Sequence, residues 1–309
     1  MIVVFGSINL DLVARTERLP QPGETIAGIS FAMLPGGKGA NQAIAARRAG
    51  ADVAMAGAVG TDLFAAAALS GLVVAGVDVT WVRHDAAPTG VALIHVDASG
   101  QNAITVIPGA NANVLAAMVP DVALGPGNLL VMQLEVPVDA VCDIASRARQ
   151  CGARVVLNAA PARALPDPLL AAVDVLIVNA IEAATLAAAL GLPDAPEGFA
   201  SALHRRHGCA VIVTLGPRGV IAAVDRSLCT ASAPSVDVID TTGAGDAFVG
   251  ALAAALDRRA GWTRAIAEGV AAGSLACTVA GAQAGLPVAA AIRRLAAELA
   301  PTLIAQPLN

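Results

Sequence analysis

LLVMQLEVPVDAVCDIASRARQCGARVVLNAA, residues 129–160, carries the rhythm by which the whole chain can be read. An apolar run at 129–134 gives way to a segment of helical composition at 138–150, and a second apolar run follows at 154–157. Short continuous apolar runs suit strands buried on both faces, and parallel neighbours need a helix to bring the chain back. The same alternation recurs elsewhere, with strands expected at 2–5, 175–178 and 211–215 and helices at 39–48, 182–190 and 198–207. The expectation is an α/β fold, a parallel-rich central sheet flanked by helices.

Two segments break the rhythm. Residues 11–34 are rich in Pro, Gly and Thr and show no helical period, and 89–107 reads as two strands joined by a turn at Asp97-Ala98-Ser99-Gly100. Both look like β structure inserted into an α/β chain, as active-site lids are. The expected division is a main domain at 1–10, 38–88 and 108–309, with a small β-sheet lid at 11–37 and 89–107.

The chain's 309 residues suffice for one large domain and a small accessory piece. A net charge of −5 lacks the basic face that a nucleic-acid binder needs. Mean hydropathy is high, +0.69, largely through alanine. The longest uncharged stretch, 269–292, is broken by Gly273, Ser274, Thr278, Gly281, Gln283, Gly285 and Pro287. It reads as a soluble helix followed by a Gly-rich loop rather than a membrane span. No basic leader precedes the strand at 2–5, so a cytoplasmic protein is expected. Cys142, Cys151, Cys209, Cys229 and Cys277 are odd in number and scattered, as reduced core thiols would be. His204 and His207 share a helical face beside Arg205 and Arg206, which suits a solvated charged surface better than a zinc site.

The sharpest local feature is Asp240-Thr241-Thr242-Gly243-Ala244-Gly245-Asp246-Ala247-Phe248, ahead of good helix formers at 247–256. Glycines there let backbone N–H groups converge at a helix N-terminus, where anions bind. Asp246 falls in the first turn, either as a capping acid or as a base that takes a proton from an attacking hydroxyl; the local sequence leaves both open. A dinucleotide fingerprint fails because GxGxxG would need Gly at Phe248 and a strand directly before it, and a Walker loop fails because no Ser or Thr follows Lys38. A second feature, Gly36-Gly37-Lys38-Gly39-Ala40-Asn41-Gln42, stands ahead of helical residues 43–48 and holds the chain's only lysine. A third, Gly6-Ser7-Ile8-Asn9-Leu10-Asp11, lies at the carboxyl end of the first strand, where ligands of open α/β sheets sit. Asn9 and Asp11 alternate and so point to one side, as acceptors for a hydroxyl-rich ligand would; ordinary turn chemistry is the competing explanation.

Taken together, these three stretches resemble the signature regions of the ribokinase-like (PfkB) family of sugar kinases. The resemblance extends through Met132-Gln133-Leu134-Glu135, Leu157-Asn158-Ala159-Ala160-Pro161-Ala162 and Thr214-Leu215-Gly216-Pro217-Arg218-Gly219. It implies ATP-dependent phosphorylation of the primary hydroxyl of a small sugar, D-ribose to ribose 5-phosphate before others. Asp246 then matches the catalytic base, and Gly243, Ala244 and Gly245 match the anion hole around the transferring phosphoryl group. Asn9, Leu10, Asp11, Gly37, Lys38, Gly39, Ala40, Asn41 and Glu135, with Asp246, match the sugar site. Asn179, Thr214, Leu215, Gly216, Pro217, Arg218, Gly219 and Gly245 match nucleotide contacts. Asn179 and Glu182 match an NxxE motif that organises Mg²⁺, with Glu182 acting through water. Asp240, Thr242, Ala276, Val279, Gly281 and Gly285 match a site for K⁺ or another monovalent cation. Gly285 departs from the Ser found there in the family, and Ala180 from a common Glu.

The resemblance also implies a homodimer formed through the lid, whose apolar face and open edges suit a partner subunit. Fructokinase, nucleoside kinase and 2-keto-3-deoxygluconate kinase activities are alternatives within the family. An aromatic content of 2% with no Tyr counts against stacking of a nucleobase. A catalytically idle sugar sensor is the alternative of another class, and the intact Asp246 with its glycines counts against it.

Overall fold

The computed structural model describes residues 1–308. A ten-stranded sheet runs in the order β14 (Ile304–Pro307), β13 (Ser227–Ala231), β12 (Val220–Val224), β11 (Ala210–Thr214), β10 (Val175–Asn179), β9 (Arg154–Asn158), β8 (Leu129–Met132), β1 (Ile2–Phe5), β4 (Val53–Gly60), β5 (Asp78–Asp85). Neighbours from β11 to β5 pair in parallel, and β11 through β14 pair antiparallel. Both faces are covered. Ile2 and Val4 of β1 point into one core, packed by α1 (Lys38–Arg48), α2 (Phe64–Ala75), α7 (Ala244–Asp257), α8 (Trp262–Ala276) and α9 (Ala289–Leu299). Val3 and Phe5 point into the other, packed by α3 (Val138–Cys151), α4 (Asp167–Ala172), α5 (Ala180–Leu190) and α6 (Pro196–His207). The period-2 alternation of side chains is what divides a single apolar strand between two cores. This is the α/β architecture that the alternating runs predict.

A second sheet of four strands runs β3 (Gly28–Gly36), β2 (Asn9–Thr16), β6 (Gly90–Val96), β7 (Asn102–Ile107). It begins at Asn9, so Asn9 and Leu10 belong to the small sheet's own strand. Register sets Asp11 beside Leu34 and Ala92 on one face, and Leu12 beside Met33 and Leu93 on the other.

Several details differ from the sequence reading. Helix α1 starts at Lys38, one residue before the helix expected at 39–48, so Lys38, Gly39, Ala40 and Asn41 form its first turn. Gly37 caps it at φ 89°, a conformation that favours glycine. Strands β4 and β5 and helix α2 were not expected; β4 is VAMAGAVG, whose alanines and glycines carry no strand signal although every residue is buried. Residues 269–292 begin as expected with the end of α8 and a loop reaching 288, and the last four open α9. No helix among the described residues is long and apolar enough to cross a membrane. All five cysteines are unpaired, but only Cys209 is fully buried. His204 is half-buried with Nδ1 2.7 Å from the Cys209 carbonyl oxygen, so it is not simply a solvated surface group.

Candidate active site

Asp246 sits in the first turn of α7, only 6% exposed. Gly243 caps this helix at φ 78°, and a Cβ there would stand 2.8 Å from the Ala282 carbonyl oxygen. That close approach, with the left-handed backbone, explains the glycine. The Ala244 N–H donates to the Thr241 carbonyl at 3.2 Å. The N–H groups of Gly245 and Asp246 follow it, and first-turn groups have no acceptor within their helix.

Helices α1 and α7 pack tightly enough to join two distant parts of the sequence. Asn41 Nδ2 donates to Asp246 Oδ2 at 3.0 Å, and Gln42 Nε2 donates to Asp246 Oδ1 at 2.9 Å. Glu135, just beyond β8, receives the Ser7 hydroxyl at 2.6 Å and the Lys38 backbone N–H at 3.0 Å on one oxygen. Asn9 is buried, and its Oδ1 accepts from Asn111 Nδ2 at 2.7 Å. Asp11 lies against Gly36, where a Cβ would come within 2.5 Å of its carboxyl carbon. Leu10 and Ala40 turn their side chains into the first core, so only their backbones remain for a ligand.

Two adjoining clefts open beside this cluster. One, of about 240 Å³, is lined by Lys38, Asn179, Glu182, Gly243, Gly245 and Asp246 among others. The other, of about 670 Å³, is walled by Thr214, Gly216, Pro217, Gly219, Val236 and Phe248 among others. Thr214, Thr241 and Gly245 line both. Leu215 packs instead against the second core, and Arg218 is exposed and lines neither cleft. Glu182 and Asn179 complete a capping box: Asn179 N–H donates to Glu182 Oε2 at 2.7 Å, and Glu182 N–H donates to Asn179 Oδ1 at 2.9 Å. Glu182 is therefore a helix-start acid, and it also faces the smaller cleft.

Charge is concentrated here. Burial, then the charges of Glu135 and Asp246, push the Asp11 carboxyl up to about 6. Burial also raises Asp246, opposed by Lys38 and by the hydrogen bonds from Gln42 and Asn41. Removal from water is the largest influence on Asp246. Burial raises Glu182, opposed by the Asn179 N–H and Lys38. Burial acts to lower Lys38, but Asp246, Glu135 and Glu182 outweigh it and raise the ammonium above its ordinary value.

The positions expected to hold a monovalent cation also come together. Asp240 Oδ1 accepts from the Thr242 backbone N–H at 2.9 Å and hydroxyl at 2.6 Å, and Oδ2 from the Gly281 N–H at 2.8 Å. Burial would raise Asp240, yet these bonds leave its carboxyl below the ordinary value. The carbonyl oxygens of Ala276, Val279 and Gly281 stand 2.8, 3.1 and 3.2 Å from where a Cβ on Gly285 would be. An all-oxygen set of this kind fits a hard cation. No group of three His, Cys, Asp or Glu side chains able to hold a metal occurs among the described residues.

Residues 1–289 match the pfkB family of carbohydrate kinases. The chain belongs to that family. It is 36% identical over 293 residues to a ribokinase of Haemophilus influenzae, covering 93% of this chain and 95% of that one. A ribokinase structure from Thermotoga maritima superposes with a TM-score of 0.88 at 30% identity, covering 96% of this chain and 98% of that one. An Arabidopsis thaliana ribokinase complexed with ribose and ATP superposes with a TM-score of 0.85 at 30% identity, with the same coverage.

Within this pfkB-family site, sequence reasoning passed over Ser7, Gln42, Asn111, Gln133, Asn158 and Gln283. Gln42 and Gln133 stand inside quoted motifs, but neither the motif nor the hydrophobic pattern says which way an amide points. Asn111 lies in a short helical turn between β7 and β8 with no local signature; only the fold brings it to Asn9.

Proposed function

We propose that this carbohydrate kinase transfers the γ-phosphoryl group of ATP to the primary hydroxyl of D-ribose, giving ribose 5-phosphate and ADP. The observation that carries the reading is Asp246, a buried carboxylate set between a helix N-terminus facing the clefts and the polar cluster of Asn9, Asp11, Asn41 and Glu135. The named relatives support ribose and ATP as the substrates.

In this reading the sugar lies under the small sheet, with its hydroxyls on Asp11, Asn41 and Glu135, and ATP lies along the larger cleft with its phosphates toward Gly245. Asp246 accepts the proton of the primary hydroxyl as that oxygen attacks phosphorus in line, and the bridging oxygen leaves with ADP. Backbone N–H groups at the start of α7 and the Lys38 ammonium offset charge on the transferring group. Mg²⁺ would be held by the phosphates and water, with Glu182 as the carboxylate beside them, and would neutralise phosphate charge. A monovalent cation would be held by Asp240 and the carbonyls of Thr242, Ala276, Val279, Gly281 and Gly285, with no serine oxygen at 285. The small sheet of β2, β3, β6 and β7 acts as a lid, and closure excludes water that would otherwise hydrolyse ATP.

The test is ADP release from purified enzyme offered ribose, deoxyribose, fructose, adenosine or ketodeoxygluconate, with and without K⁺. Ribose should give the highest kcat/KM, and Asp246→Asn should lower kcat by about 10²-fold or more. Equal, negligible turnover in both proteins would favour a sugar sensor, and a better substrate than ribose would overturn the ribose assignment alone.

A further inference from the structure

Each oxygen of Asp246 ends a chain of buried side-chain amides. On one side, Gln133 Nε2 donates to Gln42 Oε1 at 2.6 Å, and Gln42 Nε2 donates to Asp246 Oδ1 at 2.9 Å. On the other, Gln283 Nε2 donates to Asn41 Oδ1 at 3.1 Å, and Asn41 Nδ2 donates to Asp246 Oδ2 at 3.0 Å. Gln42 is steadied further by Asn158 Oδ1 at 3.0 Å, and Asn158 by the Ile177 carbonyl at 3.1 Å. All four amides point their N–H ends toward the carboxylate. The reverse orientation of either outer glutamine would set oxygen against oxygen.

The outer glutamines are held there at a cost. Gln133 is fully buried and Gln283 is 7% exposed, and the Oε1 of each has no hydrogen-bond partner among the described residues. Each of these oxygens is pressed against a glycine. A Cβ on Gly6 would fall on Gln133 Oε1, and one on Gly71 would fall on Gln283 Oε1, each at 1.9 Å. A buried oxygen without a partner is destabilising, and a Met or Leu of similar size would avoid that cost. Packing alone therefore gives no reason for glutamine at either position; an N–H donor aimed at Asn41 or Gln42 does.

We propose that Gln133 and Gln283 are positioning residues, which act through Gln42 and Asn41 to hold the Asp246 carboxylate in the one orientation that accepts the sugar proton. This rests on Asp246 being the base. Hydrogen bonds donated to a carboxylate favour its charged form, and aligned amides strengthen one another. The charged groups around Asp246 are Lys38 on α1, which also favours the ionised form, and Glu135 beyond β8, Asp11 on β2 and Glu182 on α5, which oppose it.

Gln133→Met and Gln283→Met keep bulk and remove the donor. Each should lower kcat by about fivefold or more, a part of the ~10²–10⁴ that a placed base contributes. Each should also leave KM for ATP within about twofold and move the acid limb of the kcat–pH profile upward by about half a unit. The direction follows from the sign: an amide of Gln42 or Asn41 that is no longer held by its outer glutamine donates less well to the carboxylate, which then protonates at higher pH. Should one variant not fold, the other carries the same test on the opposite oxygen. An unmoved acid limb, or a fall in activity matched by a rise in KM for ATP, would overturn the proposal. If Asp246→Asn is inactive while both Met variants keep the normal profile, only the relay fails; if Asp246→Asn retains normal turnover, the base reading fails first.

Discussion

Asp11 shows how one residue serves binding at the expense of folding. Its carboxyl is largely withdrawn from water and near two other carboxylates, which pushes it up to about 6 from an ordinary 3.8. The folded state thus holds a proton that the unfolded chain has already lost between those values, and stability falls as pH rises through the window. The penalty is complete above pH 6, on the order of 2–3 kcal/mol from the size of the shift. Asp11→Asn should therefore raise the melting temperature at pH 7.5 and leave it unchanged near pH 4; an equal gain at both would refute the account. The same substitution should raise KM for the sugar by about 10–100-fold through the lost charged acceptor. With the native enzyme, KM for the sugar should climb as pH falls below 6.

At the scale of elements, the contact between α1 and α7 decides whether a site exists. Gly250 makes it possible: a Cβ there would stand 2.4 Å from Ala45 Cβ and 2.6 Å from the Ala46 nitrogen. The alanines and glycines that raise the hydropathy of the chain thus let two backbones approach closely, and that approach carries Asn41 and Gln42 to Asp246. Gly250→Ala should cost about 1–3 kcal/mol by denaturant titration, since the contact has no room to spare. It should also lower kcat, because the helices must separate. A variant with normal stability and turnover would show the interface to be more accommodating than its distances imply. The two helix starts were legible in sequence from their glycines, whereas the packing between them was not.

For the molecule as a whole, the small sheet is the part whose surroundings are unfinished. On the face that carries Asp11, Leu34, Ile104 and Val106 are 42%, 53% and 47% exposed, and register places them side by side with Ala32 and Ile94. Strands β3 and β7 form its edges. An exposed apolar cluster on a sheet with open edges fits a second copy of the same sheet, so a homodimer through the lid follows as a proposal. Sedimentation of the native protein should show a dimer, and Ile104→Asp with Val106→Asp should yield monomers with raised KM for the sugar. A native monomer at micromolar concentration would remove this reading and leave the kinase assignment in place.

The sequence by itself determined the alternation of strand and helix, the helix starts that face the clefts, and the residues able to hold charge there. Those are local properties: period, glycine placement and side-chain type act within a few neighbours. It also overlooked β4, because alanine carries no preference strong enough to read without its surroundings. What Asp246 touches was decided only in three dimensions. Its two amide partners are 205 and 204 residues away in the chain, and which oxygen each amide meets depends on how closely two helices pack. Hydrogen bonds between side chains are set by distance and direction in space, and those become fixed only when the core closes around them.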